Sequence, residues 1–150
     1  MIARVTAPLG GGSRNLQVIR DGVMPAAGSA PGWTDQYDTW DGPNFAAEDW
    51  IGYQYASAQT FHRVMFQEGI NFTDGGWFNS LIVQVRQNGV WVTASGLSST
   101  PPYPGVNNAR NYESYNLQFA PISGDAIRIY GAPGGSAAFI SVAELLVYGP

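Results

Sequence analysis

The sequence predicts an all-β protein folded as one domain, a β-sandwich or jelly roll. Aromatic residues make up 13% of the 150-residue chain, which also contains 19 glycines and 10 prolines, a composition typical of short strands joined by many turns. Runs of alternating apolar and polar residues recur along the chain, and we find no pattern of an amphipathic helix of ~10 residues or more. A chain of this length can bury one sizeable core without disulfides, and the sequence contains no cysteine.

The N-terminal region is predicted to lie outside the ordered module. Residues 1–14 include the run Gly10–Gly12 and are interpreted as an arm or loop, so that ordered structure begins near Asn15 and the module spans residues 15–150. An Asp-Gly turn follows at Asp21. Residues 23–37 then form a long irregular stretch, which we expect to be a functional or mobile loop.

The middle of the chain contains the strongest strand signals. Residues 81–86 and 90–93 flank Asn88–Gly89, the residue pair that a type I′ turn requires, and this predicts a β-hairpin. Two further strands are predicted upstream, at residues 50–55 and 61–66. Polar loops are expected on either side of the hairpin, at residues 68–79 and 98–111.

The last third of the chain predicts core strands. Tyr115, Leu117 and Phe119 share one face of a strand, and Ile127 and Ile129 share one face of the next. The apolar run of residues 139–148 could also be a short buried helix, but the preceding glycines and the β-branched residues favour a strand.

That final run contains a single carboxylate, Glu144. An ionised glutamate in an apolar strand costs several kcal/mol unless it is paired, exposed or bound to a cation. Sequence reasoning leaves two interpretations of Glu144 open: a bound cation, or a salt bridge to Arg20 or another basic residue.

Charge and composition argue against several functions. The formal net charge of −4 and pI near 4.6 disfavour binding to nucleic acids or to phospholipid headgroups. No apolar run reaches the ~18 to 20 residues of a transmembrane helix, and the N-terminus lacks the apolar core of a signal peptide. The only histidine, His62, lies in a predicted strand, so thiol and Ser-His-Asp catalysis lack their residues.

The order and spacing of several short motifs are similar to a known family. The motifs are the Asp21-Gly22 turn, the Thr39-Trp40 pair, a hairpin ending in Gly-Val-Trp, the Ile-Arg-Ile strand and the closing Phe-Ile-Ser-Val-Ala-Glu-Leu. Together they resemble the discoidin, or coagulation factor 5/8 type C, superfamily, and most of all the family 32 carbohydrate-binding modules of secreted glycoside hydrolases. The resemblance extends over residues 15–149.

The resemblance implies an eight-stranded, galactose-binding-domain-like jelly roll with a structural calcium ion. Carried over by position, the implied calcium ligands are the carboxylates of Asp21 and Glu144 and the hydroxyl and carbonyl of Thr39. The backbone carbonyls of Val18, Val23 and Ala143 complete the set. Ca²⁺ takes six to eight such oxygens, so the chemistry fits. The chain departs from the family pattern by an insertion, residues 24–36, which lies between Val23 and Thr39.

The resemblance also implies a sugar site made by loops at one edge of the sandwich. An aromatic ring would stack on the apolar face of a sugar while polar side chains bind its hydroxyls. We expect Trp77 to be the leading platform candidate and Trp40, Trp50 and Trp91 to belong to the core. The candidate ligand-binding residues are Trp33, Tyr37, Asp41, Glu68, Asn71, Asp74, Trp77, Tyr103, Asn107 and Arg110.

The functional expectation is therefore a non-catalytic carbohydrate-binding module. It would be extracellular, attached to or partnered with a glycoside hydrolase, and specific for a neutral or cationic oligo- or polysaccharide. A paired-carboxylate glycosidase is disfavoured, because the acidic residues of the region 35–49 fit a calcium shell and a solvated loop better. The alternatives are a discoidin domain for protein or cell-surface adhesion and a structural spacer.

Overall fold

A computed structural model describes residues 1–149 and confirms the all-β fold. Two short 3-10 helices, Leu16–Arg20 and Trp33–Asp35, accompany the strands, and no α-helix occurs in this part of the chain. The strands are β1 (Ile2–Ala3), β2 (Tyr37–Asp38), β3 (Asp49–Glu68), β4 (Phe78–Gln87), β5 (Val90–Thr93), β6 (Ser98–Thr100), β7 (Ser114–Pro133) and β8 (Ser141–Tyr148).

Two long strands, β3 and β7, build both layers of a jelly-roll sandwich. Their first ladder pairs residues 49–54 with residues 126–131, and after a register shift between Gln54 and Gln59 a second ladder continues towards the other end. One layer has the order β2–β8–β3–β7–β6, and the other has the order β1–β3–β7–β4–β5. The two strands predicted at residues 50–55 and 61–66 are thus the two halves of β3.

The core lies between the inner faces of these layers. Phe66 and Phe78 pack edge to face at 6.2 Å in its centre, and both are fully buried. Ile127 and Ile129 are each 1% exposed, as the alternation in β7 predicts. The predicted shared face of Tyr115, Leu117 and Phe119 is confirmed, since all three are buried in the same cluster.

The predicted hairpin is confirmed at β4 and β5. Asn88 and Gly89 both have positive φ, 50° and 82°, as a type I′ turn requires. Val85 pairs with Val92 and Gln87 with Val90 in the ladder that the turn closes.

Residues 1–14 are part of the sandwich, which differs from the expectation that order begins near Asn15. The strand β1 pairs with β3, and the buried Val5 accepts a hydrogen bond of 2.7 Å from the hydroxyl of Tyr37. The side chain of Arg4 forms an ion pair of 3.1 Å with the fully buried Asp49. Sequence reasoning missed these contacts because each joins residues more than 30 positions apart.

Trp50 and Trp91 lie on the outer face of the sheet, so their assignment to the core was wrong. Trp50 stacks on Tyr130 at 6.5 Å, and the guanidinium of Arg128 lies over the rings of Trp50, Trp91 and Tyr130 at 5.0, 4.1 and 4.6 Å. Alternation explains this placement, because Trp50 and Tyr130 are neighbours of the inward-facing Ile51 and Ile129.

Candidate functional site

A pocket of about 190 Å³ opens where the loops meet at one edge of the sandwich. Trp33, which is 51% exposed, packs against Phe72 at 5.1 Å, and Phe72 packs against Phe139 at 5.5 Å. Trp40 contributes a further ring to the lining. The arrangement provides an exposed aromatic face supported from behind, which suits stacking on a sugar ring.

The glycine run of the N-terminal region shapes one wall of this pocket. A Cβ atom on Gly10 would lie 1.9 Å from the carboxylate of Asp38, and one on Gly11 would lie 2.7 Å from the ring of Trp33. Glycine is therefore required for this close approach of the backbone. The sequence showed the run, but its packing partners are more than 20 residues away.

Two carboxylates line the same pocket. Asp38 is 2% exposed and accepts hydrogen bonds from the backbone N–H groups of Gly12 and Trp40 at 3.0 and 3.3 Å. Burial raises the pKa of Asp38, and these N–H groups and the nearby Arg14 oppose the rise. Asp74 is exposed, so its carboxylate is accessible to a ligand.

Tyr112 holds the loop that presents Trp33. Its hydroxyl accepts a hydrogen bond from the N–H of Gly32 at 2.8 Å and donates one to the carbonyl of Gly32 at 2.9 Å. The N–H of Gly28 donates to the carbonyl of Asn111 at 2.7 Å. Residues 24–36 are thus tied to the loop before β7 at two points, Gly28 and Gly32, both of which precede Trp33.

Two aromatic residues predicted to contact ligand are buried. Tyr37 is 1% exposed and belongs to the core. Trp77, the expected platform, is 7% exposed, and its Nε1 donates to Asn79 at 3.1 Å. Because its ring packs against Gly134, where a Cβ would lie 2.0 Å from Nε1, Trp77 has no free face for a sugar.

Glu68, Asn71 and Tyr103 form a largely buried network beneath the loops. The Tyr103 hydroxyl donates to Glu68 at 2.5 Å, and the Asn71 amide donates to the other oxygen of Glu68 at 3.0 Å. Burial raises the pKa of Glu68 to about 7, an effect that both hydrogen bonds oppose. With Glu68 1% exposed, this network supports the loops and does not face the pocket.

The remaining predicted polar residues lie on the loops around the pocket but do not line it. Asn107 donates to the carbonyl of Phe72 at 2.7 Å, and Arg110 forms an exposed ion pair of 3.2 Å with Glu113. Asp41 accepts from Asn44 at 3.3 Å. Among the predicted residues, the pocket brings together Trp33 and Asp74, and sequence reasoning missed Leu9, Gly10, Gly11, Asp38, Trp40, Phe72 and Phe139.

The buried carboxylate of Glu144 marks a second candidate site. The residue is fully buried, and neither carboxylate oxygen has a hydrogen-bond partner among residues 1–149. Burial raises the pKa of Glu144 and the charge of Asp21 raises it further, while the nearby backbone N–H of Gly22 lowers it. Arg20 instead donates to Gln17 at 2.7 Å, so the salt bridge considered from the sequence does not form.

The first 3-10 helix packs against β8, the strand that carries Ala143 and Glu144. The helix ends at Asp21, whose Oδ1 accepts from the N–H of Val23 at 2.8 Å. A β-bulge lies beside Glu144, because Gln67 pairs with Glu144 and Glu68 with Val142, leaving Ala143 without a partner on β3. Val18, Val23 and Ala143 therefore all lie on the segments that flank Glu144.

Thr39, the remaining implied calcium ligand, lies away from Glu144. Its hydroxyl donates to Asp49 at 2.5 Å and accepts from the N–H of Ile140 at 3.0 Å, and its carbonyl accepts from Arg4 at 3.2 Å. Ile140 precedes Glu144 by four residues, about 13 Å along a strand. The structure therefore does not bring Thr39 to Glu144, because the chain after residues 24–36 joins β8 near its start.

The β-sandwich is similar in fold to solved family 32 carbohydrate-binding modules. No protein-family model and no curated protein matches the sequence, but solved structures match nearly the whole chain. The module CpGH89CBM32-5 of Clostridium perfringens, in complex with GalNAc-β-1,3-galactose, has a TM-score of 0.66 at 14% identity, covering 99% of this chain and 93% of that one.

Two other solved modules give the same result. The family 32 module of Clostridium perfringens NanJ, in complex with galactose, has a TM-score of 0.63 at 18% identity, covering 97% of this chain and 91% of that one. Chitosan-binding module 1 from a chitosanase/glucanase of Paenibacillus sp. IK-5 has a TM-score of 0.62 at 18% identity, with coverages of 99% and 92%. These likenesses establish the fold.

Two other features bear on function. Asp38 and Asp49, members of the acidic cluster seen in the sequence, are both buried in hydrogen-bond networks and do not form an accessible catalytic pair. Across residues 1–149, no helix is long and apolar enough to cross a membrane.

Proposed function

We propose that this protein is a non-catalytic carbohydrate-binding module whose ligand binds in the pocket between Trp33, Phe72 and Asp74. The observation that carries the proposal is the half-exposed Trp33 ring, supported by Phe72 and set beside two carboxylates. A sugar ring stacks through its C–H face on Trp33, while its hydroxyls donate to the exposed Asp74.

The charge of the pocket narrows the glycan class. Asp38 and Asp74 line it, no Lys or Arg does, and the protein carries a net charge of −4. A sugar with carboxylate or sulfate groups would be repelled, so the ligand is a neutral or amino-substituted glycan. The three structural neighbours are described with galactose, with GalNAc-β-1,3-galactose and as a chitosan-binding module, which are glycans of this range.

The module acts by raising the local concentration of an attached or partner glycoside hydrolase at its polysaccharide. One shallow pocket binds weakly, and a tether to the catalytic domain converts that weak binding into residence on the substrate. Extracellular location is part of the same proposal, since its polymeric ligands occur outside cells.

A calcium ion held by Asp21 and Glu144 stabilises the sandwich in this proposal. Both oxygens of Glu144 are buried and have no hydrogen-bond partner among residues 1–149, and a second carboxylate, Asp21, is close enough to raise the pKa of Glu144. No cluster of three or more His, Cys, Asp or Glu side chains occurs in the described chain, so the other ligands are neutral oxygens. Carbonyls of Val18, Val23 and Ala143 are suited to this role, and the ion supplies the positive charge that Glu144 lacks.

Glycan binding is tested by screening the protein on an array that contains galactose, N-acetylgalactosamine, N-acetylglucosamine and glucosamine oligomers, with isothermal titration of each positive. We expect binding in the micromolar to millimolar range. Failure to bind any neutral or amino glycan at millimolar concentration would contradict the proposal and favour an adhesion or spacer module.

A further inference from the structure

A third buried acceptor lies beside Glu144. Gln67 stands directly opposite Glu144 in the β3–β8 ladder and is 3% exposed. Opposite residues of an antiparallel pair project to the same side with Cβ atoms about 4.5 to 5.5 Å apart, so these two side chains share one small volume. Oε1 of Gln67 has no hydrogen-bond partner in residues 1–149, like both oxygens of Glu144.

Two carbonyls fix which way the Gln67 amide points. Its Nε2 donates to the carbonyl oxygens of Pro25 and Tyr112, each at 3.0 Å. Because a carbonyl oxygen can only accept, the nitrogen must face these two groups and Oε1 must face away from them. The unpartnered oxygen is therefore a fixed feature of the site and not a choice between two orientations of the amide.

The oxygens of Gln67, Asp21 and Glu144 are better satisfied by a bound cation than by a neutral hydrogen-bond donor. Gln67, Asp21 and Glu144 together present several acceptor oxygens, and two of the groups are carboxylates. A water molecule supplies two donors and no charge, so it leaves the repulsion between Asp21 and Glu144 unrelieved. Ca²⁺ accepts carboxylate oxygens and the amide oxygen of Gln or Asn in one shell.

We propose that Oε1 of Gln67 is a direct ligand of the cation held by Asp21 and Glu144. This inference rests on the proposed calcium site, and it assigns to Gln67 the side-chain position that the family resemblance gave to Thr39, which the structure places elsewhere. The shell then combines two carboxylates, one amide oxygen and backbone carbonyls. The regular β3–β8 ladder makes this possible, because it sets Gln67 directly opposite Glu144 just before the bulge at Ala143.

The test is calcium titration by calorimetry on the wild type, Gln67→Met and Gln67→Glu, with Gln84→Met as a control on the other layer. Gln67→Met removes the oxygen and keeps the length, and it should weaken calcium binding by about tenfold or more. Gln67→Glu also loses the two N–H donors but adds a charged oxygen, so it should bind calcium more tightly than the wild type. Gln84→Met should bind like the wild type.

A measurement on the wild type covers the case in which Gln67→Met does not fold. The side-chain amide resonances of Gln67 should shift on calcium titration with the same midpoint as the calorimetric binding. The inference is overturned if folded Gln67→Met keeps wild-type calcium affinity, or if these resonances do not move at saturation. If the wild type binds no calcium at all, the calcium site and this inference both fail, and glycan binding remains to be judged by the array.

Discussion

The rings of Trp33 and Phe72 lie 5.1 Å apart at an interplanar angle of 56°, and this contact joins the inserted loop to the loop between β3 and β4. Phe72 is half-buried and extends the contact to Phe139. Residues 24–36 thus supply the exposed ring, and Phe72, 39 residues further along the chain than Trp33, supports it.

Trp33→Ala should weaken glycan binding by about tenfold or more, because truncation of an anchoring aromatic at a binding site commonly costs more than 1 kcal/mol. The melting temperature should change little, since the ring is 51% exposed. Titration calorimetry with the best glycan of the array measures the effect. Val90→Ala, a change at a 64% exposed residue of the distant hairpin, is the control, and equal affinities of the two variants would show that Trp33 is not the platform.

Trp77→Ala, unlike Trp33→Ala, should act mainly on stability. It should reduce the free energy of unfolding by about 3 to 5 kcal/mol, the usual cost of removing a large buried aromatic. Trp77 is 7% exposed and packs against Gly134. Urea unfolding gives the loss, and Trp77→Phe should lose less because much of the buried ring remains. A folded Trp77→Ala variant of wild-type stability that no longer binds glycan would restore Trp77 as the platform.

Tyr112→Phe tests whether the loop of Trp33 must be held in place. The change removes both hydrogen bonds to Gly32, and we expect a stability loss of about 1 to 2 kcal/mol together with weaker glycan binding. Tyr115→Phe is the matched control, because the hydroxyl of Tyr115 bonds Glu113 at 2.9 Å and does not touch the loop. If both variants bind glycan like the wild type, the hydrogen bonds from Tyr112 to Gly32 are not required to position the loop for binding.

Arg4→Met should destabilise the protein by about 3 to 5 kcal/mol, because it leaves the buried carboxylate of Asp49 without its cation. The result would show in solution that residues 1–14 belong to the folded module. Arg86→Met is the comparison, since the Arg86–Asp125 pair is exposed on its Asp125 side and pairs screened by solvent add little to stability, so this variant should lose less than Arg4→Met. Equal losses in urea unfolding would mean that Arg4 adds no more than a surface charge.

Local patterns were enough to predict the longer strands, but they missed β1, β2 and β6 and failed where partners are distant in sequence. The Asn88–Gly89 turn and the alternation of Ile127 and Ile129 depend on neighbours and were read correctly. Whether Trp33 or Trp77 is exposed depends on Gly134 and Phe72, which no local pattern connects to them. The charge of Glu144 was recognised because a carboxylate in an apolar run is improbable without a partner, but the pairing of two distant strands that sets Gln67 beside it has no sequence signature.

Removal of calcium should lower the melting temperature, and Glu144 should decide the size of the effect. An ion present at 100 times its dissociation constant stabilises the folded state by about 2.7 kcal/mol, so EDTA should remove roughly that amount and added Ca²⁺ should restore it. Glu144→Gln should abolish the response to calcium.

The same Glu144→Gln variant, measured in EDTA, separates a metal site from a merely buried carboxylate. Without the ion, the wild type retains a buried charge beside Asp21, and neither of its oxygens has a partner in the described residues. The amide removes that charge at nearly constant shape. We therefore expect Glu144→Gln to be at least as stable as the wild type in EDTA and less stable in calcium. A variant that is equally destabilised in both buffers would show that Glu144 contributes through packing or through a contact with the protein, and not through a cation.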